Sequence, residues 1–217
     1  IFAAAGKMLD AIEKKRASDP SPAVTLRHFL ASPPGKVNEE TGEMNDINIL
    51  SVGEAKGHRM MISPRTLIDA MALLAGTTLP AYLTHSNASG DRLLTEAGLF
   101  SGFYLDGEQI KARRFEPLET FKKFEGEKFE RLIEMARKAP ELFGVSIVFD
   151  GRLFWELKDG GEEEFSIMAE RPDEALFKMP SVEPLSITSA DFVDNPAANP
   201  SLFEGKGVDA STTGKDM

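Results

Sequence analysis

The sequence predicts an α+β fold, a mainly antiparallel barrel or sheet of about seven short strands with its main helices packed outside. Segments rich in apolar and β-branched residues occur in neighbouring groups, whereas a parallel sheet would show strands alternating regularly with helices. The dipeptide Asp106-Gly107 between two such segments is typical of a hairpin turn. A chain of 217 residues is also long enough to enclose a substantial core.

The N-terminal part of the chain predicts an extension followed by a first strand. A short helix with apolar residues on one side is expected at 8–16, and the proline-rich segment 18–22 ends it because proline lacks the backbone N–H. A strand at 24–31 and a polar loop at 32–45 follow. The chain therefore divides into a helical extension at 1–22, one domain at 23–203 and a polar tail, expected to be disordered, at 204–217.

Two helices have clear start or stop signals. Ser63 and Pro64 are typical of an N-cap and a first helical position, and they predict a helix over 65–75 that Gly76 ends. A second helix is predicted over 127–139, because apolar residues recur at helical spacing and Glu–Lys or Glu–Arg pairs lie four residues apart.

The remaining segments are predicted to be strands and turns. Residues 53–58 read as a turn and 158–164 as a solvated acidic turn. A second Asp-Gly pair, Asp150-Gly151, is expected to join two strands as Asp106-Gly107 does. The predicted strands are 47–52, 59–62, 78–84, 98–105, 109–113, 142–150, 152–157, 165–170 and 184–193.

Composition excludes several classes of function. The net charge of −10 and a pI near 4.9 argue against nucleic-acid binding, which depends on clustered Lys and Arg, and against binding to an anionic membrane. The chain has no cysteine, which excludes disulfides, a cysteine nucleophile and cysteine-ligated zinc. We also find no phosphate-binding loop and no histidine pattern for zinc, so neither a cofactor nor a metal is predicted.

One serine, Ser146, lies in the apolar, β-rich run at 143–149. As a nucleophile it would need a general base, and as a structural residue it would simply pack within a strand. The chain has three histidines. His28 falls in a predicted strand and His58 in a predicted turn, whereas His85 ends a strand where the chain enters a polar loop, a common place for catalytic groups.

The third member of a Ser-His-acid triad has several candidates. Asp191, Asp194 and Glu183 all lie in the predicted closing strand or beside it. A Ser/Lys peptidase with Lys111 or another strand lysine as the base and a small-molecule hydrolase remain alternatives. The first alternative predicts that activity does not depend on His85.

The chain resembles the tailed-phage prohead proteases, which mature the capsid and whose fold is related to that of the herpesvirus assemblin proteases. The resemblance extends over about residues 24–203. It is carried by the turn and helix start at 53–67, the strand ending in His85, the hairpin strand at 102–105, the run at 140–147 and the closing segment at 191–200.

The resemblance implies a barrel fold and a set of catalytic roles. Ser146 matches the family's nucleophile and His85 its general base. Asp191, five residues before Pro196, is the choice for the acid, with Asp194 and Glu183 as alternatives. A loop around Arg171 follows the serine as does the loop that supports the oxyanion in the herpesvirus relatives, so the resemblance implies a supporting role for Arg171.

The resemblance also implies a biological setting. The chain would be a serine endopeptidase that cleaves scaffold and major capsid proteins, and itself, inside the procapsid in the host bacterial cytoplasm. Self-cleavage after Glu204 and a homo-oligomeric state are compatible with this setting. The non-enzyme alternative is an inactive capsid-assembly or scaffold-anchoring protein with the same fold.

Overall fold

The computed structural model describes residues 36–83, 96–194, 196–199 and 201–203, and within them the chain forms strands that are mostly antiparallel and a few helices. This arrangement confirms the α+β class. The strands are β1 (Met44–Ser51), β2 (Gly53–Ala55), β3 (Met60–Ile62), β4 (Thr78–Tyr82), β5 (Glu96–Asp106), β6 (Gln109–Pro117), β7 (Gly144–Glu156), β8 (Glu162–Glu164) and β9 (Ser181–Val193). The helices are α1 (Pro64–Leu74), α2 (Glu119–Phe124) and α3 (Gly126–Lys138).

The strands form two sheets. The first has four strands in the order β1-β6-β5-β4, and all its pairs are antiparallel. The second has five strands in the order β2-β3-β9-β7-β8, and its pairs are antiparallel except for β3 with β9. The helix predicted at 8–16, the strand predicted at 24–31 and the tail at 204–217 lie outside the described residues.

The local signals for turns and caps are confirmed in two places. β5 and β6 form the hairpin predicted at Asp106-Gly107, where Gly107 has a φ of 59°. Ser63 caps α1 in a reciprocal capping box with Thr66. The hydroxyl of Thr66 also donates to the Val182 carbonyl at 2.6 Å, which ties the start of α1 to β9.

The prediction of a turn at Asp150-Gly151 is wrong. The two strands expected at 142–150 and 152–157 are one 13-residue strand, β7, which pairs with β9 along its length. Gly151 allows the backbones of β7 and β9 to approach closely, because a Cβ at this position would lie 2.6 Å from the Glu183 carbonyl oxygen. The pairing register shifts at this point, so the glycine accommodates an irregularity within the strand instead of a reversal.

Three other local predictions are corrected. The strand expected at 165–170 is not formed, and Ile167 and Met168 in this segment are highly exposed. The acidic segment predicted as a turn instead supplies β8, an edge strand whose backbone pairs with β7. Part of the turn predicted at 53–58 is β2, and α2 was not predicted.

The core lies between the two sheets. Phe192 of β9 packs against Phe100 of β5 and Phe115 of β6, with ring centroids 5.5 and 5.1 Å apart. Val145 of β7 lies opposite Phe192 in the pairing register and is also fully buried. The face of the β7–β9 pair that carries Val145 and Phe192 is therefore the core face.

A group of charges surrounds Asp69 on α1. Burial raises the pKa of the Asp69 carboxyl, Arg65 opposes the shift, and the carboxylates of Glu183, Glu156 and Glu162 add to it. One carboxylate oxygen of Asp69 is buried without a hydrogen bond. The charged form of Asp69 is therefore less favourable in the folded protein than in the unfolded chain.

Asp69→Asn is expected to stabilise the protein at pH 7. A pKa raised by folding contributes stability that is present below the ordinary value of 3.8 and is lost as the pH rises through the folded value. The variant should gain less than about 1 kcal/mol at pH 7, because the site is partly exposed, and the gain should shrink towards pH 4. Urea unfolding at both pH values measures it, with the exposed Asp173→Asn as control. A gain that is the same at both pH values would contradict this explanation.

Candidate active site

The structure places Ser146 directly opposite Asp191. The two residues are partners in the antiparallel register of β7 and β9. Side chains at such directly opposed positions project from the same face of a sheet, with Cβ atoms about 4.5–5.5 Å apart. Ser146 is 8% exposed and Asp191 is 0% exposed. The predicted nucleophile and the predicted acid therefore lie side by side.

The strand period explains why these side chains lie away from the hydrophobic core. Val145 and Phe192 form one opposed pair on the core face, and Ser146 and Asp191, the next pair along, project to the other face. Ser189, two residues before Asp191, shares this second face and is 2% exposed. A fully buried carboxylate is costly unless polar groups compensate it, so such a residue is rare outside ion pairs and functional sites.

The predicted base, His85, lies outside the described residues. The strand that leads to it, β4, ends at Tyr82 and contacts β9, the strand that carries Asp191. Of the other histidines, His58 is exposed in a turn as predicted, and His28 is also outside the described residues.

The two alternative acids lie away from the Ser146 position. Glu183 pairs with Arg152 near the other end of β9, eight residues from Asp191, which corresponds to about 26 Å of strand. Asp194 is exposed in a bend after β9. The geometry therefore favours Asp191 among the candidate acids.

Arg171 and Lys111 have other partners. Arg171 is exposed, and its guanidinium donates to the Phe177 carbonyl at 3.3 Å. Lys111 is 4% exposed and lies in β6 of the first sheet, with its ammonium 2.7 Å from the Asp106 carboxylate. A lysine that acts as a general base has to be neutral, and a neighbouring carboxylate favours the charged form, so this contact disfavours Lys111 as the base.

A buried polar network next to Ser146 was not predicted from the sequence. Asn199, in the segment after β9, bonds to Ser51 of β1 and to the backbone of β7, and Ser51 bonds in turn to Asn48. These residues are 0–6% exposed. A signal was present, since Asn199 follows an apolar strand within a segment punctuated by prolines, but no local pattern shows what its amide contacts.

Metal and membrane features were also sought within the described ranges. No group of three or more His, Cys, Asp or Glu side chains there is arranged to hold a metal ion. No described helix is long and apolar enough to cross a membrane.

Comparison with known proteins gives no match, whether with family models, curated proteins or solved structures.

Proposed function

We propose that the chain is a serine endopeptidase with a Ser146–His85–Asp191 triad. The observation that carries the proposal is the opposed, buried pair of Ser146 and Asp191 on the non-core face of β7 and β9. A hydroxyl nucleophile and a carboxylate brought together in a largely buried position are two parts of the triad arrangement.

The short connection after β4 supports His85 as the third member of the triad. His85 follows Tyr82 by three residues, and three residues of chain span at most about 10 Å. β4 contacts β9, the strand that bears Asp191, so a role for His85 beside Asp191 is compatible with this short connection.

The proposed reaction is acyl transfer to Ser146. The Ser146 hydroxyl oxygen attacks a peptide carbonyl while the His85 imidazole accepts its proton, and the imidazole then returns the proton to the leaving amine. Asp191 accepts a hydrogen bond from the imidazole, fixes its tautomer and stabilises its charged form. Water then attacks the acyl-enzyme by the same proton route and releases the carboxylic acid product.

The proposal includes the barrel fold and the family suggested by the resemblance to prohead proteases. The two outer strands of the first sheet, β1 and β4, contact β7 and β9 of the second, as strands closing a barrel would. The proposed substrates are the scaffold and major capsid proteins inside the procapsid, in the host bacterial cytoplasm.

The structure constrains self-processing after Glu204. Leu202 and Phe203, the two residues that precede Glu204, are fully buried. The backbone of Leu202 also bonds to Pro140 and Asn48. Cleavage after Glu204 would therefore require these residues to leave the core first.

Replacement of two histidines tests the proposal. His85→Ala is expected to lower the cleavage rate by at least about 10³-fold, because Ser146 loses its base. His58→Ala removes an exposed imidazole in a turn and should leave the rate unchanged. The rates are measured with a scaffold protein as substrate, and the fold is checked by circular dichroism. Full activity in His85→Ala would favour the Ser/Lys alternative, and a folded wild type that never cleaves would favour the inactive assembly protein.

A further inference from the structure

Asn199 connects the two sheets through its side-chain amide. Its NH₂ group donates to the backbone carbonyls of Ile49 in β1 and Val145 in β7, each at 2.7 Å. Its side-chain oxygen accepts a hydrogen bond from the Ser51 hydroxyl at 3.0 Å. Asn199 is 3% exposed, so these bonds lie in the interior, where an unpaired carbonyl is costly.

The bond to Val145 acts on the backbone of the proposed nucleophile. The Val145 carbonyl and the Ser146 nitrogen belong to the same planar peptide group, so a fixed carbonyl also fixes the orientation at Ser146. Among the described strands, β8 pairs with this edge of β7 only at residues 154–156, and it does not reach Val145. At Val145 the edge is held by the Asn199 side chain.

The bond to Ile49 ties the Asn199 side chain, and through it the Val145 carbonyl, to the other sheet. β1 belongs to the same sheet as β4, the strand that leads to His85. Asn199 thus joins β7, which bears the proposed nucleophile, to the sheet that contains β4.

We propose that Asn199 is a positioning residue that fixes Ser146 by holding the Val145–Ser146 peptide. This inference rests on the proposed peptidase function and goes beyond it, since the bonds of Asn199 are to Ser51 and to backbone carbonyls. A displacement of about 1 Å in a reacting group is enough to lower a rate about 10²-fold.

Labelling by a fluorophosphonate probe tests the proposal without a known substrate. In the labelling step the Ser146 oxygen bonds to phosphorus, fluoride leaves, and the hydroxyl proton passes to the base. For Asn199→Ala, measured on the folded protein, we expect the maximal labelling rate to fall about 10- to 100-fold. The probe concentration for half-maximal rate should stay unchanged, because the binding surface is intact.

Thr66→Val is the matched control. It also removes a buried hydrogen bond from a side chain to a strand carbonyl, that of Val182, near the other end of β9. The melting temperature should fall in both variants, and the labelling rate only in Asn199→Ala. Equal loss of rate in both variants, or a wild-type rate in Asn199→Ala, would overturn the positioning role.

A milder variant covers the case in which Asn199→Ala does not fold. Ser51→Ala removes the hydroxyl that donates to the Asn199 side-chain oxygen, together with the bonds between Ser51 and Asn48, and leaves both NH₂ bonds of Asn199 possible. If the Asn199 amide then holds the Val145 carbonyl less firmly, the maximal labelling rate should fall by roughly threefold or more. Such a loss supports the role, and a wild-type rate rejects it. If wild type labels at Ser146 and the variants match it, only this inference fails. If wild type is not labelled at Ser146, the proposed function fails as well.

Discussion

Ser146→Ala is expected to abolish cleavage, with a loss of roughly 10⁶-fold in kcat, because no other group takes the place of a serine nucleophile. The fold should persist, since the change removes one hydroxyl from a side chain that is 8% exposed. Co-expression of the variant with the scaffold protein, followed by mass spectrometry of both chains, measures scaffold cleavage and self-cleavage together.

Ser181→Ala provides the control for this result. Ser181 is also a buried serine of the second sheet, opposite Phe154 in the register, and its hydroxyl has no hydrogen-bond partner in the structure. Its replacement should leave cleavage at the wild-type level. Unchanged processing by Ser146→Ala would eliminate the peptidase proposal, whatever the control shows.

Asp191→Asn is expected to lower kcat by about 10⁴-fold, the loss seen when the acid of a serine-protease triad becomes an amide. Asparagine keeps the volume of a side chain that is 0% exposed, so the effect should arise from chemistry and not from a cavity. It removes the charge that would stabilise the imidazolium and can hold the imidazole in the wrong tautomer. Cleavage kinetics and thermal unfolding, measured on the same preparations, separate the two effects.

The alternative acids serve as matched controls for Asp191→Asn. Asp194→Asn changes an exposed carboxylate three residues further on, and Glu183→Gln breaks an exposed ion pair with Arg152. Both variants should keep kcat near the wild-type value. If Asp194→Asn or Glu183→Gln loses activity while Asp191→Asn keeps it, the assignment of the acid is wrong even though the nucleophile stands.

The two Asp-Gly pairs show how far local sequence determines this fold. Asp106-Gly107 forms the predicted hairpin, whereas Asp150-Gly151 lies within β7. The dipeptides are the same, so the difference comes from the long partner strand β9, which pairs with residues on both sides of Gly151. The cap at Ser63 was predictable because all its contacts within α1 are local.

The candidate site likewise depends partly on local sequence and partly on contacts between distant strands. Ser146 could be selected as an unusual serine in an apolar strand, but which acid faces it depends on the register between β7 and β9, which no local pattern specifies. Resemblance to a family selected Asp191, and the register places it opposite Ser146. The role of Asn199 could not be predicted, because its partners Ile49 and Val145 are distant in sequence.

The closing contacts also bear on when this protein could become active during synthesis. Asn199 bonds to Ile49, and the Leu202 carbonyl accepts from the Asn48 backbone, so β1 is completed by residues near the other end of the described chain. Contacts of such high contact order form late, after most of the chain has left the ribosome. A partly translated chain would therefore lack both Asp191 and the Asn199 bond that holds the Val145–Ser146 peptide, so the proposed site would not be assembled before synthesis is nearly complete.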